Sequence, residues 1–75
     1  MKSLLNRAIN EVNNLENNEE FLLKELFKGY EWNRLNRNIR LKLGTLFLYE
    51  VENDPSLEIE IVAKNSSNQQ KYKKR

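Results

Sequence analysis

The residues best suited to chemistry form a basic cluster near the middle of the chain: Arg34, Arg37, Asn38, Arg40 and Lys42. No aspartate or glutamate interrupts this cluster. Arginine and asparagine make paired hydrogen bonds to the edges of guanine and adenine, and arginine and lysine also bind phosphates. At the start of a helix, such a cluster is typical of a surface that faces a polyanion. Its residue types and spacing therefore predict a nucleic-acid-binding face.

A second basic cluster lies at the C-terminus. Residues 64–75 carry a net charge of +5, whereas residues 1–63 carry −3. Lys64, Lys71 and Lys73 would flank a nucleic-acid backbone if they lay on a hairpin beside the first cluster. Two alternatives stay open. The lysines can protect a sheet edge from pairing with another chain, or both clusters can be ordinary solvated faces.

Catalysis and metal binding have little support in the sequence. The chain has no histidine and no cysteine, which removes the usual general base and the commonest metal ligands. Glu19 and Glu20 lie in a polar turn, and Glu58 and Glu60 alternate along an exposed strand face, so we expect solvated charges. We predict a non-enzymatic protein that needs no cofactor and no metal.

The chain also lacks the signals of a membrane or secreted protein. It has no run of about 18 apolar residues that could span a bilayer, and Lys2 is not followed by the apolar segment of a secretory signal. We therefore expect a cytoplasmic protein without membrane contact. Its 75 residues predict a single domain over 1–75, with 73–75 as a basic tail.

The clearest helical period runs from Asn36 to Glu52, the predicted helix 3. Its apolar residues fall on one face, and they are Ile39, Leu43, Leu46, Phe47 and Val51. Asn36 is a good N-cap, and Asp54 followed by Pro55 ends the helix. The helix begins with cations and ends with glutamates, a charge order that is unfavourable for its macrodipole. We therefore expect a selective pressure other than helix stability to account for the cations. Gly44, inside the helix, predicts close approach of another element.

The residues before helix 3 predict two shorter helices and a strand. Helix 1 covers Ser3 to Asn13 with Ser3 as its cap, and Phe21 to Leu23 form a short strand. Helix 2 covers Lys24 to Lys28, and Gly29 ends it. Residues 29–33 are then an aromatic connector, in which we expect Trp32 to fill the core and Tyr30 to be exposed toward a protein partner.

The residues after helix 3 predict a β-hairpin. Leu57 to Lys64 alternate in polarity, with Leu57, Ile59, Ile61 and Ala63 facing inward. Residues 65–68 form a turn, and Gln69 to Lys74 return as the partner strand with Tyr72 inward. The predicted fold is α+β and winged-helix-like: three helices, a short strand and a C-terminal hairpin. We expect one core, formed by Leu5, Ile9, Phe27, Trp32, Ile39, Leu43, Phe47 and Ile61.

Four stretches of the sequence resemble a known family. They are Glu20-Phe21, Leu26-Phe27-Lys28-Gly29-Tyr30-Glu31-Trp32-Asn33, Arg40-Leu41-Lys42-Leu43-Gly44-Thr45-Leu46-Phe47 and Gln69-Gln70-Lys71-Tyr72. They are similar to small single-domain proteins of Gram-positive bacteria, catalogued as a domain of unknown function. That family includes the middle protein of replication modules on staphylococcal cassette chromosome elements. The resemblance implies a winged-helix-like fold and a role beside a DNA polymerase.

Two hypotheses for the function follow. In the first, the chain is a small non-enzymatic accessory protein that binds nucleic acid, with DNA as the expected partner, and serves DNA replication or regulation on a mobile element. In the second, it is a protein-interaction subunit that docks on a DNA polymerase or another larger enzyme. Salt distinguishes them, because phosphate contacts make affinity fall steeply with salt concentration.

Overall fold

The computed structural model describes residues 2–67 and 69–75. Within these ranges the protein is of the α+β class, with three α-helices and a three-stranded antiparallel sheet. The elements are α1 (Lys2–Glu11), β1 (Glu20–Leu22), α2 (Gly29–Arg34), α3 (Arg37–Asn53), β2 (Ile59–Val62) and β3 (Lys71–Lys74). Turns of 3-10 helix lie at Val12–Asn14, Leu23–Leu26 and Pro55–Leu57.

Helix α3 agrees with the sequence prediction at both ends. The side chain of Asn36 caps it, because its Oδ1 accepts a hydrogen bond from the backbone N–H of Ile39 at 2.9 Å. The helix ends before Asp54, and Pro55 begins the next turn. Its buried stripe consists of Leu43, Phe47 and Val51. Ile39 was predicted in the core, but it is only half-buried.

Helix α1 begins one residue earlier than predicted. Ser3 therefore lies inside the helix instead of capping it. Leu5, Ala8 and Val12 are buried on one side of this segment, the last of them in the 3-10 turn that follows the helix.

Helix α2 corrects the prediction for this region. Lys24–Leu26 form part of a 3-10 turn, and Gly29 begins a helix where it was expected to end one. The side chain of Glu31 accepts a hydrogen bond from the backbone N–H of Lys28 at 3.3 Å and so helps to start this helix. The expected aromatic connector is thus α2 itself. Only two residues, Leu35 and Asn36, separate it from α3.

The sheet has the order β1-β3-β2, so the C-terminal strand is the middle one. Phe21 of β1 and Ile61 of β2 lie opposite Tyr72 of β3. The predicted short strand and the inward direction of Tyr72 are confirmed. The alternative that Lys71 and Lys73 protect a sheet edge is excluded, because their strand is paired on both sides.

Strand β2 is shorter than the alternating pattern predicted. Glu58 has a left-handed backbone, with a φ of 55°, and this turn delays the strand until Ile59. Ile59 is buried, but Ile61 is 41% exposed, so its prediction as a core residue is wrong, and Ala63, predicted to face inward, is exposed. A strand at the edge of the sheet is covered less completely than the middle strand. Asn68, in the predicted turn, lies outside the described residues.

An aromatic group joins the helices to the sheet. The ring of Phe47 packs edge-to-face against the rings of Tyr72 and Phe21, at centroid distances of 5.0 and 6.4 Å. Phe27 and Leu5 belong to the same core, as predicted. The other predicted core residues, Ile9 and Trp32, are half-buried and pack against it, and the Trp32 ring lies 5.8 Å from that of Phe27.

The C-terminal residues predicted as a basic tail are held in place. Lys73 and Lys74 belong to β3. The ammonium group of Lys74 donates to the carbonyl oxygen of Leu15 at 2.7 Å, and the backbone N–H of Arg75 donates to that of Glu58 at 2.8 Å. These bonds connect the end of the chain to the segment after α1 and to the start of β2.

Candidate nucleic-acid interface

The first turns of α3 present three of the predicted site residues to solvent. Arg37, Asn38 and Lys42 are exposed. Arg37 and Lys42 form no ion pair within the described residues, so they are available for contacts outside the protein. The side chains are the ones expected to contact base edges and phosphates.

Arg40 differs from the rest of the basic cluster. It is half-buried, and a terminal guanidinium nitrogen donates to the backbone oxygen of Trp32 at 3.1 Å. Its guanidinium carbon lies 5.5 Å from the centroid of the Trp32 ring. Arg40 belongs to the predicted basic cluster, but its contacts with Trp32 link α3 to α2 and leave it less available than Arg37. The Nε atom of Arg40 is buried and has no hydrogen-bond partner among the described residues.

Helix α2 adds an exposed aromatic side chain with cations beside it. Tyr30 is 54% exposed, as predicted for a partner-facing residue. The guanidinium carbon of Arg34 lies 5.0 Å from the centroid of its ring, and the ammonium nitrogen of Lys28 lies 5.9 Å from it. A cation over an exposed ring contributes about 0.5–1 kcal/mol, so this contact holds the Arg34 side chain against the ring of Tyr30.

A groove of about 430 Å³ runs between α3 and the sheet, and we name it the α3 groove. Lys64, which follows β2, lines this groove together with residues of α3. Its apolar lining includes Leu22, Leu23, Trp32, Leu41, Gly44 and Leu48. The sequence pattern did not predict it. The one available signal was Gly44, and the explanation expected for Gly44 is wrong, because a Cβ atom there would meet nothing within 4 Å.

The lysines of β3 face carboxylates on the outer side of the sheet. The ammonium group of Lys71 lies 2.7 Å from a carboxylate oxygen of Glu20. Lys73 lies opposite Glu20 on one side and Glu60 on the other. The hydrogen bond and charge of Lys71, together with the charge of Lys73, lower the pKa of Glu20. These two predicted site residues therefore share their charge with neighbouring acids, unlike Arg37 and Lys42.

The cations at the start of α3 have no carboxylate partner among the described residues. In residues 2–67 and 69–75 no three acidic side chains come close enough to hold a metal ion. The described helices are too short or too polar to cross a membrane. The two ion pairs among the described residues join Arg7 to Glu31 and Lys71 to Glu20, so they leave the cations of α3 unpaired.

A family model described as "Domain of unknown function (DUF1413)" matches residues 6–74, from within α1 to the end of β3. No curated protein and no solved structure is significantly similar to the chain.

Proposed function

Because the chain belongs to the DUF1413 family, whose description states no function, we propose one from the geometry of its basic face. The protein is a small, non-enzymatic accessory protein that binds nucleic acid. Arg37 and Asn38 contact base edges, while Arg34, Lys42 and Lys64 contact phosphates. The resemblance to a replication-module protein supports a setting in DNA replication or regulation on a mobile element.

The observation that carries this proposal is the exposed N-terminus of α3. Arg37 and Lys42 are exposed cations in a stretch without carboxylates, and Arg37 lies in the first turn of α3, where cations are unfavourable. They form no ion pair within the part of the chain that the structure describes. Binding to a polyanion explains why the chain has cations in this unfavourable position.

The order of the elements supports a winged-helix-like arrangement. Helices α2 and α3 with their two-residue link form a helix-turn-helix, in which the N-terminal residues of the second helix enter the major groove. The connection between β2 and β3 is then the wing. Lys64 in this connection shares the α3 groove with Arg40 and Leu41, so the wing lies beside the second helix.

The test is fluorescence anisotropy with single- and double-stranded DNA and RNA oligonucleotides at several salt concentrations. Arg37→Ala should weaken binding and reduce the slope of log affinity against log salt by about 1, and adding Lys42→Ala should reduce it again. Lys2→Ala removes an exposed cation of α1 and is the matched control. Arg40 is kept, because its contact with Trp32 would confuse binding with stability.

The proposal fails if the wild-type protein binds none of the oligonucleotides. It also fails if Arg37→Ala and the double variant keep the wild-type salt slope.

The second candidate function is that of an interaction subunit for a DNA polymerase or another larger enzyme. The observation in its favour is Tyr30, which is exposed on α2 beside Lys28 and Arg34. Exposed aromatic and arginine side chains dominate many protein interfaces. Tyr30→Ala should weaken co-purification with a polymerase and leave the melting temperature unchanged. Unchanged co-purification would count against this candidate.

A further inference from the structure

We propose that the α3 groove is a docking site for a segment of a partner protein that combines apolar side chains with carboxylates. The site shares Lys64 with the proposed nucleic-acid face, but the main residues of that face, Arg37 and Asn38, do not line the groove. The proposal goes beyond the proposed function, and it can be correct whether or not the protein binds nucleic acid.

The lining of the groove provides the apolar part of the match. Leu22, Leu23 and Leu48 are half-buried, and Leu41 is 59% exposed. Four leucines thus border one depression and keep part of their surface in contact with water. Burying such a surface favours association, and a volume of about 430 Å³ lies in the range of ligand-binding clefts.

Gly44 gives the groove its shape. Glycine is unfavourable inside a helix compared with alanine. The fold does not require glycine here, because an added Cβ atom would have no neighbour within 4 Å and the backbone φ is not positive. The missing side chain leaves open space in the wall of the groove. A binding partner that needs this space explains why the helix carries glycine at this position.

The charges around the groove determine the partner's chemistry. Lys24, Arg40 and Lys64 line it, and no carboxylate does so among the described residues. The hydrogen bond from the Arg40 side chain to the backbone oxygen of Trp32 uses one of five N–H donors, and the buried Nε of Arg40 has no partner among the described residues. Acidic side chains on a bound segment would be attracted to these cations and would set its orientation.

A protein segment fits these features better than a nucleic acid does. Single-stranded nucleic acids bind by stacking bases on aromatic faces. The aromatic ring of Trp32 already has the Arg40 guanidinium at 5.5 Å and the Phe27 ring at 5.8 Å, so it offers little free face for a base. Leucines, in contrast, suit the apolar side chains of a peptide.

The test selects peptides from a phage-displayed random library against the immobilised full chain. We expect the enriched peptides to combine leucine, isoleucine or phenylalanine with aspartate or glutamate. The most enriched peptide is then synthesised with a fluorescent label and titrated by anisotropy. Gly44→Leu, which places a side chain in the groove, should weaken its binding by about tenfold or more. Lys24→Glu should weaken it by a similar factor.

Two variants serve as controls. Gly44→Ala adds only a methyl group and should keep the affinity within about threefold. Lys2→Glu makes the same charge change on α1 and should have no effect beyond about twofold. If Gly44→Leu does not fold, Leu41→Ser replaces it, because Leu41 is exposed and the fold tolerates a polar side chain there.

The outcomes separate this proposal from the nucleic-acid proposal. Arg37→Ala should reduce oligonucleotide binding and leave peptide binding unchanged, whichever way the peptide variants behave. The groove is not a peptide site if selection enriches no acidic, apolar sequences, or if Gly44→Leu and Leu41→Ser bind the selected peptide like the wild type. Loss of oligonucleotide binding without loss of peptide binding in Gly44→Leu would assign the groove to nucleic acid.

Discussion

At the scale of single residues, Phe47 is the side chain through which α3 is attached to the sheet. It is fully buried and contacts the rings of Phe21 and Tyr72. Two residues further along the helix, Tyr49 is 58% exposed. The same helix thus has one aromatic residue inside the core and one outside it. Their contributions to the free energy of unfolding can therefore be compared directly.

Phe47→Ala should lower the free energy of unfolding by about 3–5 kcal/mol, because it removes buried apolar surface and leaves a cavity. In a domain of this size such a loss can abolish folding. Tyr49→Ala should change it by about 0.5 kcal/mol or less. Urea unfolding followed by circular dichroism measures both. A Phe47→Ala protein with the wild-type midpoint would show that this core is wrong.

Tyr72 makes a second prediction, about pH. Burial, with a smaller contribution from the charge of Glu52, raises the pKa of Tyr72 to about 12. The ordinary pKa of a tyrosine is about 10. Because the folded state holds this proton more tightly, the contribution to stability is complete below pH 10 and is lost as the pH rises toward 12.

Wild-type protein should therefore lose more stability between pH 10 and pH 12 than Tyr72→Phe does, since phenylalanine has no proton to release. Tyr49→Phe, at an exposed position, should keep the wild-type dependence. Thermal unfolding across this pH range tests the difference. Equal pH dependence for wild type and Tyr72→Phe would contradict the assignment.

At the scale of elements, α3 combines a buried stripe, a basic beginning and an interior glycine. The buried stripe holds the helix against the sheet, and the basic beginning carries the proposed interface. Gly44 contributes to neither, since no other element approaches its missing side chain. Its effect on the helix alone can therefore be measured.

Gly44→Ala should raise the free energy of unfolding by about 1 kcal/mol, because alanine favours helix more than glycine does and the added methyl meets no neighbour. Lys42→Ala, an exposed change two residues earlier, should have an effect of only a few tenths, about 0.3 kcal/mol. Chemical denaturation of both variants provides the test. Destabilisation by Gly44→Ala would indicate that another element does pack against this position.

At the scale of the whole molecule, the C-terminal strand connects elements that are distant in sequence. Strand β3 pairs with β1 and β2, and the carbonyl of Lys74 accepts a hydrogen bond from the backbone N–H of Asn18 at 2.6 Å. The ammonium group of Lys74 donates a hydrogen bond to the carbonyl oxygen of Leu15. Lys73, Lys74 and Arg75 would be dispensable in a free tail. Here they belong to the sheet or are hydrogen-bonded to the rest of the chain.

Lys74→Met keeps the length of the side chain and removes its ammonium group, so it should lower the free energy of unfolding by about 1 kcal/mol. Arg75→Met, at the exposed last residue, should be close to neutral. Removing residues 73–75 should be far more destabilising than either, because the middle strand loses its end. Melting temperatures rank the three variants, and a stable truncated protein would contradict this arrangement of the strands.

The sequence by itself determined the features that depend on near neighbours in the chain. The period of Leu43, Phe47 and Val51 defined the buried face of α3, because residues four apart lie on one side of a helix. The Asn36 cap and the stop at Pro55 act through adjacent backbone groups. The same local logic placed Tyr72 inward, since strand residues alternate between faces.

Only the tertiary structure decided what depends on contacts between distant residues. The position of β3 in the middle of the sheet changed Lys71 from an edge residue into the ion-pair partner of Glu20. Contact with Trp32 turned Arg40 away from the basic face, and the sheet beside α3 created the groove at Gly44. Strand order, charge pairing and grooves are set by which elements meet in space, and the local period of a sequence carries no information about that choice.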